Sequence, residues 1–198
     1  MLGGCSGSTP ASAGGSPTAI GSATSAAAPS PSPMTPAAAL AAALGPLAAA
    51  AAFESTVTVD GNPVTSLSGR SVGSASQLTV TTNGQTVEYI RVPPEAWARQ
   101  AGGTWVLVDE SQAPDNPLAA LAAPLTLDAS NGDASGTALN ATYAAAALGL
   151  QGDPVPVSIT IDSSGVTFRY QVTNAGHQIV SMTVIRAASP TPQVTPPI

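Results

Sequence analysis

Two β-rich runs meet at Asn83-Gly84, QLTVTT before the dipeptide and QTVEYIRV after it. Asn-Gly tolerates the positive φ that both central positions of a type I′ turn require. That turn matches the twist of two antiparallel strands. The chain therefore builds a hairpin here, and an isolated hairpin is too weak to stand without a larger sheet.

The same period of two recurs elsewhere. In FESTVTVD, Phe53, Ser55, Val57 and Val59 share one face, and Glu54, Thr56, Thr58 and Asp60 share the other. GNP turns the chain, and VTSLSGRSV follows as a weaker strand. The C-terminal part reads as a three-strand meander: VPVSITID, VTFRYQV and QIVSMTVIR, separated by SSG and TNAGH. TWVLVDE adds a strand, and LTLDASNGDASGTALNATY holds one or two around an SNGD turn. Strands that alternate apolar and polar belong to an antiparallel sheet with one wet face. About eight to ten of them make one curved sheet whose dry face must be covered.

The available cover is short and rich in alanine. PAAALAAALGPLAAAAAF opens with Pro36, suited to a first helical turn, and carries Leu40, Leu44 and Leu47 as one stripe. Gly45-Pro46 kinks or splits that helix. PPEAWARQ is expected to be a single helical turn or short helix. NPLAALAAPL is expected to be a helix from Asn116 or Pro117, and AAAALGLQGD a short helix closed by glycines. The expected fold class is thus α+β, a single antiparallel sheet with short Ala-rich helices against its concave face. Small side chains on those helices let them sit close to the sheet or leave space. An apolar cavity is permitted.

Both ends are of another kind. Residues 6–35 are Ser, Pro, Ala, Thr and Gly with few large apolar side chains, and residues 188–198 are similarly Pro-rich. Such segments cannot bury enough surface to offset their ordering entropy, so both are expected to be disordered. The first is a tether with an r.m.s. span of roughly 30 Å. Residues 36–187 remain as one domain with a real core.

Ahead of the tether stands Cys5, the only cysteine in 198 residues. It has no disulfide partner within the chain. With one histidine in the chain, His177, it does not make a zinc site, and it has no folded pocket to act as a catalytic thiol. Covalent attachment remains. Leu2-Gly3-Gly4-Cys5 resembles a bacterial lipobox, so residues 1–5 are expected to supply a lipidation site, with two or three acyl chains holding the protein on a membrane. Only Met1 and Leu2 stand where a basic n-region and an apolar h-region belong. The natural start is therefore expected upstream, or the sequence trimmed.

Charge narrows the partners. Eleven acidic residues face five basic ones, for a net charge of -6, and all five are arginine. Such a chain is a poor nucleic-acid ligand and does not adhere electrostatically to anionic lipid heads. No stretch reaches the roughly 18 apolar residues of a membrane span.

In order, a lipobox-like cysteine, a tether, a helix running into FESTVTVDG, hairpins around SLSGRSV and LTVTTNGQTVEYIRV, GGTWVLVD, and the ITIDSSGVTFRYQV–SMTVI ending resemble the LppX/LprG lipoproteins of mycobacteria and relatives. The likeness spans roughly residues 36–187. It implies a half-barrel like that of LolA and LolB, with a hydrophobic cavity for acylated glycolipids or long-chain lipids moved toward the outer envelope. The Ala-rich helices and the short C-terminal half depart from that pattern and bear on cavity size. Under this resemblance the cavity would be lined by Leu40, Leu44, Leu47, Val57, Val80, Tyr89, Trp97, Trp105, Ile159, Phe168 and Tyr170. Trp97 and Trp105 admit a second position, plugging one end of the core with each indole N–H on a rim partner.

No catalytic constellation stands out. His177 lies in NAGHQ, a hairpin turn, and no serine sits in a G-x-S-x-G elbow. Asp109 and Glu110 are expected on opposite faces of a strand, as are Glu88 and Arg91. The chain is expected not to be an enzyme and to need no cofactor or metal. It is expected to be an envelope lipoprotein on the extracytoplasmic face of the membrane that carries lipid, with an envelope transporter as a possible partner. The rival is a surface lipoprotein with a filled core that acts as a protein-interaction or regulatory module.

Overall fold

The computed structural model describes residues 34–130, 136–188 and 193–197. Cys5, the tether as far as residue 33 and the centre of the SNGD turn lie outside the described residues. Ala188 and residues 193–197 carry no helix or strand.

Among the described residues eleven strands form one antiparallel sheet. They are β1 (Ala50–Val59), β2 (Asn62–Val72), β3 (Ala75–Thr82), β4 (Gln85–Val92), β5 (Glu95–Gln100), β6 (Val106–Val108), β7 (Thr126–Ala129), β8 (Thr137–Tyr143), β9 (Val155–Asp162), β10 (Gly165–Asn174) and β11 (His177–Ala187). The spatial order is β6-β5-β4-β3-β2-β1-β11-β10-β9-β8-β7. Two meanders therefore run outward from a central β1–β11 pair. The sheet ends at β6 and β7 and does not close.

Turn chemistry sets the hairpins. Asn83 and Gly84 have φ of 50° and 80°, the type I′ geometry that the dipeptide favours. Asp60-Gly61 and Ala175-Gly176 adopt similar φ values at the same end of the sheet. There the Asp60 carboxylate reaches across to the start of β11. It accepts the Gln178 N–H at 2.8 Å and meets His177 Nδ1 at 2.6 Å. Hydrogen bonding to His177, then to the Gln178 backbone, holds the Asp60 carboxyl below the usual range.

Register fixes which side chains enter the core. Phe53 lies opposite Ile185 on β11 and Gly69 on β2, and Gly69 in turn lies opposite Leu78. Phe53, Leu78 and Ile185 are all at most 1% exposed. On the second meander Val155, Val157 and Ile159 and then Val166, Phe168 and Tyr170 point the same way and are buried. Their strand neighbours face outward, as the alternation predicts.

Helices cover this face only in part. Helix α1 (Pro36–Leu44) starts at Thr35, whose Oγ1 accepts the Ala38 N–H, and it stops at Gly45. A 3₁₀ turn, Pro46–Ala48, continues the path, so Gly45-Pro46 splits the segment as expected. Leu40, Leu44 and Leu47 all insert into the core. Helix α2 (Pro117–Leu121) is capped by Asn116, whose Oδ1 accepts the Leu118 N–H at 2.9 Å. A further 3₁₀ turn, Ala145–Leu148, closes on Gly149 at φ 69°. Among the described residues no helix is long and apolar enough to cross a membrane.

Two expectations fail. PPEAWARQ is not helical: Pro93-Pro94 turns the chain and Glu95–Gln100 is strand β5. Its Glu, Ala, Arg and Gln favour helix, but pairing with β4 outweighs that local preference. Arg99 lies directly opposite Glu88 and bonds its Oε2 through Nη2 at 2.7 Å. With β5 the described residues hold eleven strands, beyond the expected eight to ten. Asp109 and Glu110 do not lie on a strand either. Strand β6 ends at Val108, and Glu110–Gln112 is a 3₁₀ turn with Asp109 at its N-cap.

The close packing at Gly69 yields a test. A Cβ there would meet the Gln77 carbonyl oxygen and lie 2.9 Å from Leu78 Cα, both backbone atoms that cannot step aside. Gly69→Ala is expected to lose about 1–3 kcal/mol of stability in urea unfolding. An unchanged midpoint would mean that the β2–β3 pairing differs from the one described.

Candidate functional site

One face of α1 is a run of small and medium apolar side chains, Ala37, Leu40, Ala41 and Leu44, continued by Gly45 and Ala48. Their spacing is that of a single helical stripe. Opposite stand Leu118, Ala119 and Ala122 of α2 and its exit, with Pro124, Leu127, Gly73 and Asn116 completing the lining. The helices pack on other elements more than on each other: α1 on β7 and β10, α2 on the Ala145–Leu148 turn. Between them lies a cleft of about 500 Å³.

Among the described residues no charged side chain lines it, and Asn116 is its one polar side chain. The Asn116 Oδ1 is already engaged in capping α2. A charged group buried here would find no counter-ion, whereas an apolar chain would lose only water. The chemistry of the walls suits a hydrocarbon.

The two ends of α2 are held differently. At its C-terminal end the Tyr143 hydroxyl, fully buried, donates to the Leu121 carbonyl at 2.6 Å, and the Leu125 N–H bonds the Thr142 carbonyl. Before its N-terminal end, Arg91 on β4 bonds Glu110 Oε1 through Nε and Asp115 Oδ1 through Nη1, at 2.9 and 2.8 Å. Arg91 lies opposite Ser76 and Ala96, on the face that bears the helices. Glu88, three residues earlier, faces the other way toward Arg99.

The residues expected to line a cavity scatter. Leu40 and Leu44 line the cleft. Leu47, Ile159 and Phe168 sit in the packed core, 5%, 1% and 3% exposed. Val57 is half-buried on the helix-bearing face. Val80 and Tyr89 border a separate, more polar hollow at the β3–β4 hairpin, and Tyr170 borders another beside Arg169 and Gln171. Trp97 lies opposite Ile90 and Leu107, on the outer face of the sheet. Trp105 stacks under the Arg99 guanidinium at 4.4 Å. Both tryptophans are half-buried and neither belongs to the core cluster, so they neither plug the core nor border the cleft.

Sequence reasoning missed the α2 wall and the alanines of α1. The small residues at positions 37, 41 and 48 are in register with the leucine stripe, and NPLAALAAPL carries a second small-residue face. Those patterns were the available signal. No family model matches the chain, and no curated protein matches it.

Burial of the α2 anchor has a measurable consequence. Desolvation pushes the Tyr143 phenol up to about 12 and also raises that of Tyr170. A phenol ionises near 10 in the unfolded chain. The native state then holds protons that the unfolded state has lost, so this contribution is complete below pH 10 and disappears as pH rises toward 12. Phenolate absorbance of the native protein is expected to lag behind that of the unfolded chain over this window, with stability falling in parallel. Coincident titrations would contradict the burial of Tyr143.

Proposed function

We propose that the chain is a membrane-anchored envelope lipoprotein of the LppX/LprG type that binds or carries a lipid or acylated glycolipid in the cleft between α1 and α2. The observation that carries this reading is the cleft itself, about 500 Å³ and, among the described residues, free of charged lining. That volume falls within the usual range for ligand pockets, roughly 300–1,000 Å³. Each methylene transferred into such a site contributes about 0.8 kcal/mol. The half-barrel form belongs to the same reading, supported by a large open antiparallel sheet with short helices on one face.

On this reading Cys5 carries the acyl anchor, and the tether lets the domain reach from the extracytoplasmic face of the membrane toward an envelope transporter or other acceptor. It assigns no catalysis. His177 is paired with Asp60 at a strand-end turn and does not line the cleft.

A second reading has its own observation. The sheet face beneath the helices is filled by Tyr143, Ile159 and Phe168, so the cleft lies beside the core and not within it. Leu107, 62% exposed on edge strand β6, adjoins Trp97 on the outer face. An apolar patch at a sheet edge suits a protein-interaction module without ligand.

Native mass spectrometry of the Cys5→Ser chain, purified from a lipid-rich host, separates the two. Near one-to-one lipid is expected. Ala41→Trp, which fills the cleft from an exposed position, is expected to cut bound lipid about tenfold or more through lost burial. Bare protein that takes up no added acyl probe would overturn the carrier reading in favour of the interaction module.

A further inference from the structure

We propose that Arg91 is the latch of the cleft: its ion pairs with Glu110 and Asp115 hold the N-terminal end of α2 toward the sheet, and their release lets α2 swing about its anchored C-terminal end. The proposal rests on the cleft being the ligand site.

The placement of Arg91 is unusual for this chain. Of the five arginines, Arg70, Arg99, Arg169 and Arg186 lie on the outer face by register. Arg91 alone lies on the helix-bearing face, with its side chain 23% exposed. Its guanidinium reaches two carboxylates that bracket the segment joining β6 to α2. Ala113, within that segment, is buried, and so is Ala96 opposite Arg91 on β5. The segment is therefore drawn onto the sheet at the point where Arg91 stands. Asp115 immediately precedes Asn116, which both caps α2 and lines the cleft.

A helix of five residues has too few internal hydrogen bonds to hold its own course, so its ends decide where it lies. Those ends are unequal. The Tyr143–Leu121 bond is buried and between neutral groups, and Leu121 is packed in the core. The Arg91 pairs are wet: the Glu110 side chain is 38% exposed and that of Asp115 91%. Solvent-screened ion pairs break at small cost, whereas the buried anchor does not. The asymmetry makes the C-terminal end a pivot and the N-terminal end the part that moves. Leu118 spans both states, since it packs in the core and also lines the cleft. Opening exchanges its packing contacts for contacts with an entering acyl chain.

Paired spin labels on the full chain test this. With Cys5→Ser as background, Ala42→Cys on α1 and Gln112→Cys on the joining segment are exposed positions outside the cleft lining. One narrow inter-label distance is expected with Arg91 intact. Arg91→Gln is expected to broaden or lengthen it and to speed release of a fluorescent fatty-acid probe about tenfold, while Arg91→Lys restores part of both. Asp115→Asn, at the most exposed partner, gives the same direction of change and serves if Arg91→Gln does not fold. Failure of the intact chain to take up the probe would count against the ligand reading, and the distance distribution would still report on the latch. An unchanged distance in both Arg91→Gln and Asp115→Asn would overturn the latch.

Discussion

The pairing of β1 with β11 is the contact on which the rest of the molecule depends. Every other strand pair joins neighbours in the chain, so each meander can form from local contacts. Among the strands of the described residues only the β1–β11 pair joins the two halves, at the entropic cost of closing a loop that spans nearly the whole domain. Their contacts repay that cost on both faces. Phe53 packs with Ile185 on the buried side, Ser55 Oγ meets Thr183 Oγ1 at 2.8 Å, and Glu54 takes Arg186 on the wet side. Asp60 ties off one end of the pair through His177 and Gln178. Without this seam the sheet falls into two half-sheets.

The cleft follows from how thinly that seam is roofed. Leu40 and Leu44 of α1 fill space on the side of β10 and β7, and Leu47 of the following 3₁₀ turn fills it over β1 and β11. Apart from Pro36 the remaining positions of α1 are alanine, and α2 faces the gap with Ala119, side chains too short to bridge from helix to helix. Longer side chains at positions 41 and 119 would close the gap with core. The open space is thus a consequence of small residues on a roof, and the sheet itself remains packed. Arg91 adds to that cover, holding the joining segment against the sheet through Glu110 and Asp115.

Several elements were legible because their signals are local. Asn83-Gly84 fixes its own turn, Gly45-Pro46 cannot continue a helix, and Asn116 ahead of Pro117 is a cap followed by a suitable first residue. The C-terminal meander could be read from alternation alone. Strand β5 could not, since its composition is helical and its state depends on Glu88 and the β4 edge beside it. The clue was its alternation, with Ala96 and Ala98 on one side and Trp97 and Arg99 on the other. The side taken by Trp97 was hidden for the same reason: parity is inherited from β4 through register, and a segment taken as helix has no parity.

The sequence by itself determined where most of the strands and hairpin turns fall, β5 excepted, how the first helix splits, and that the cover would be thin, because these rest on φ preferences and on side-chain period within a few residues. Only the tertiary structure decided which strand joins the halves, where the open space lies and which carboxylates Arg91 meets. Those outcomes depend on groups far apart in the chain, and their meeting is governed by the single register of β1 on β11 and by the path of the segment that returns over the sheet.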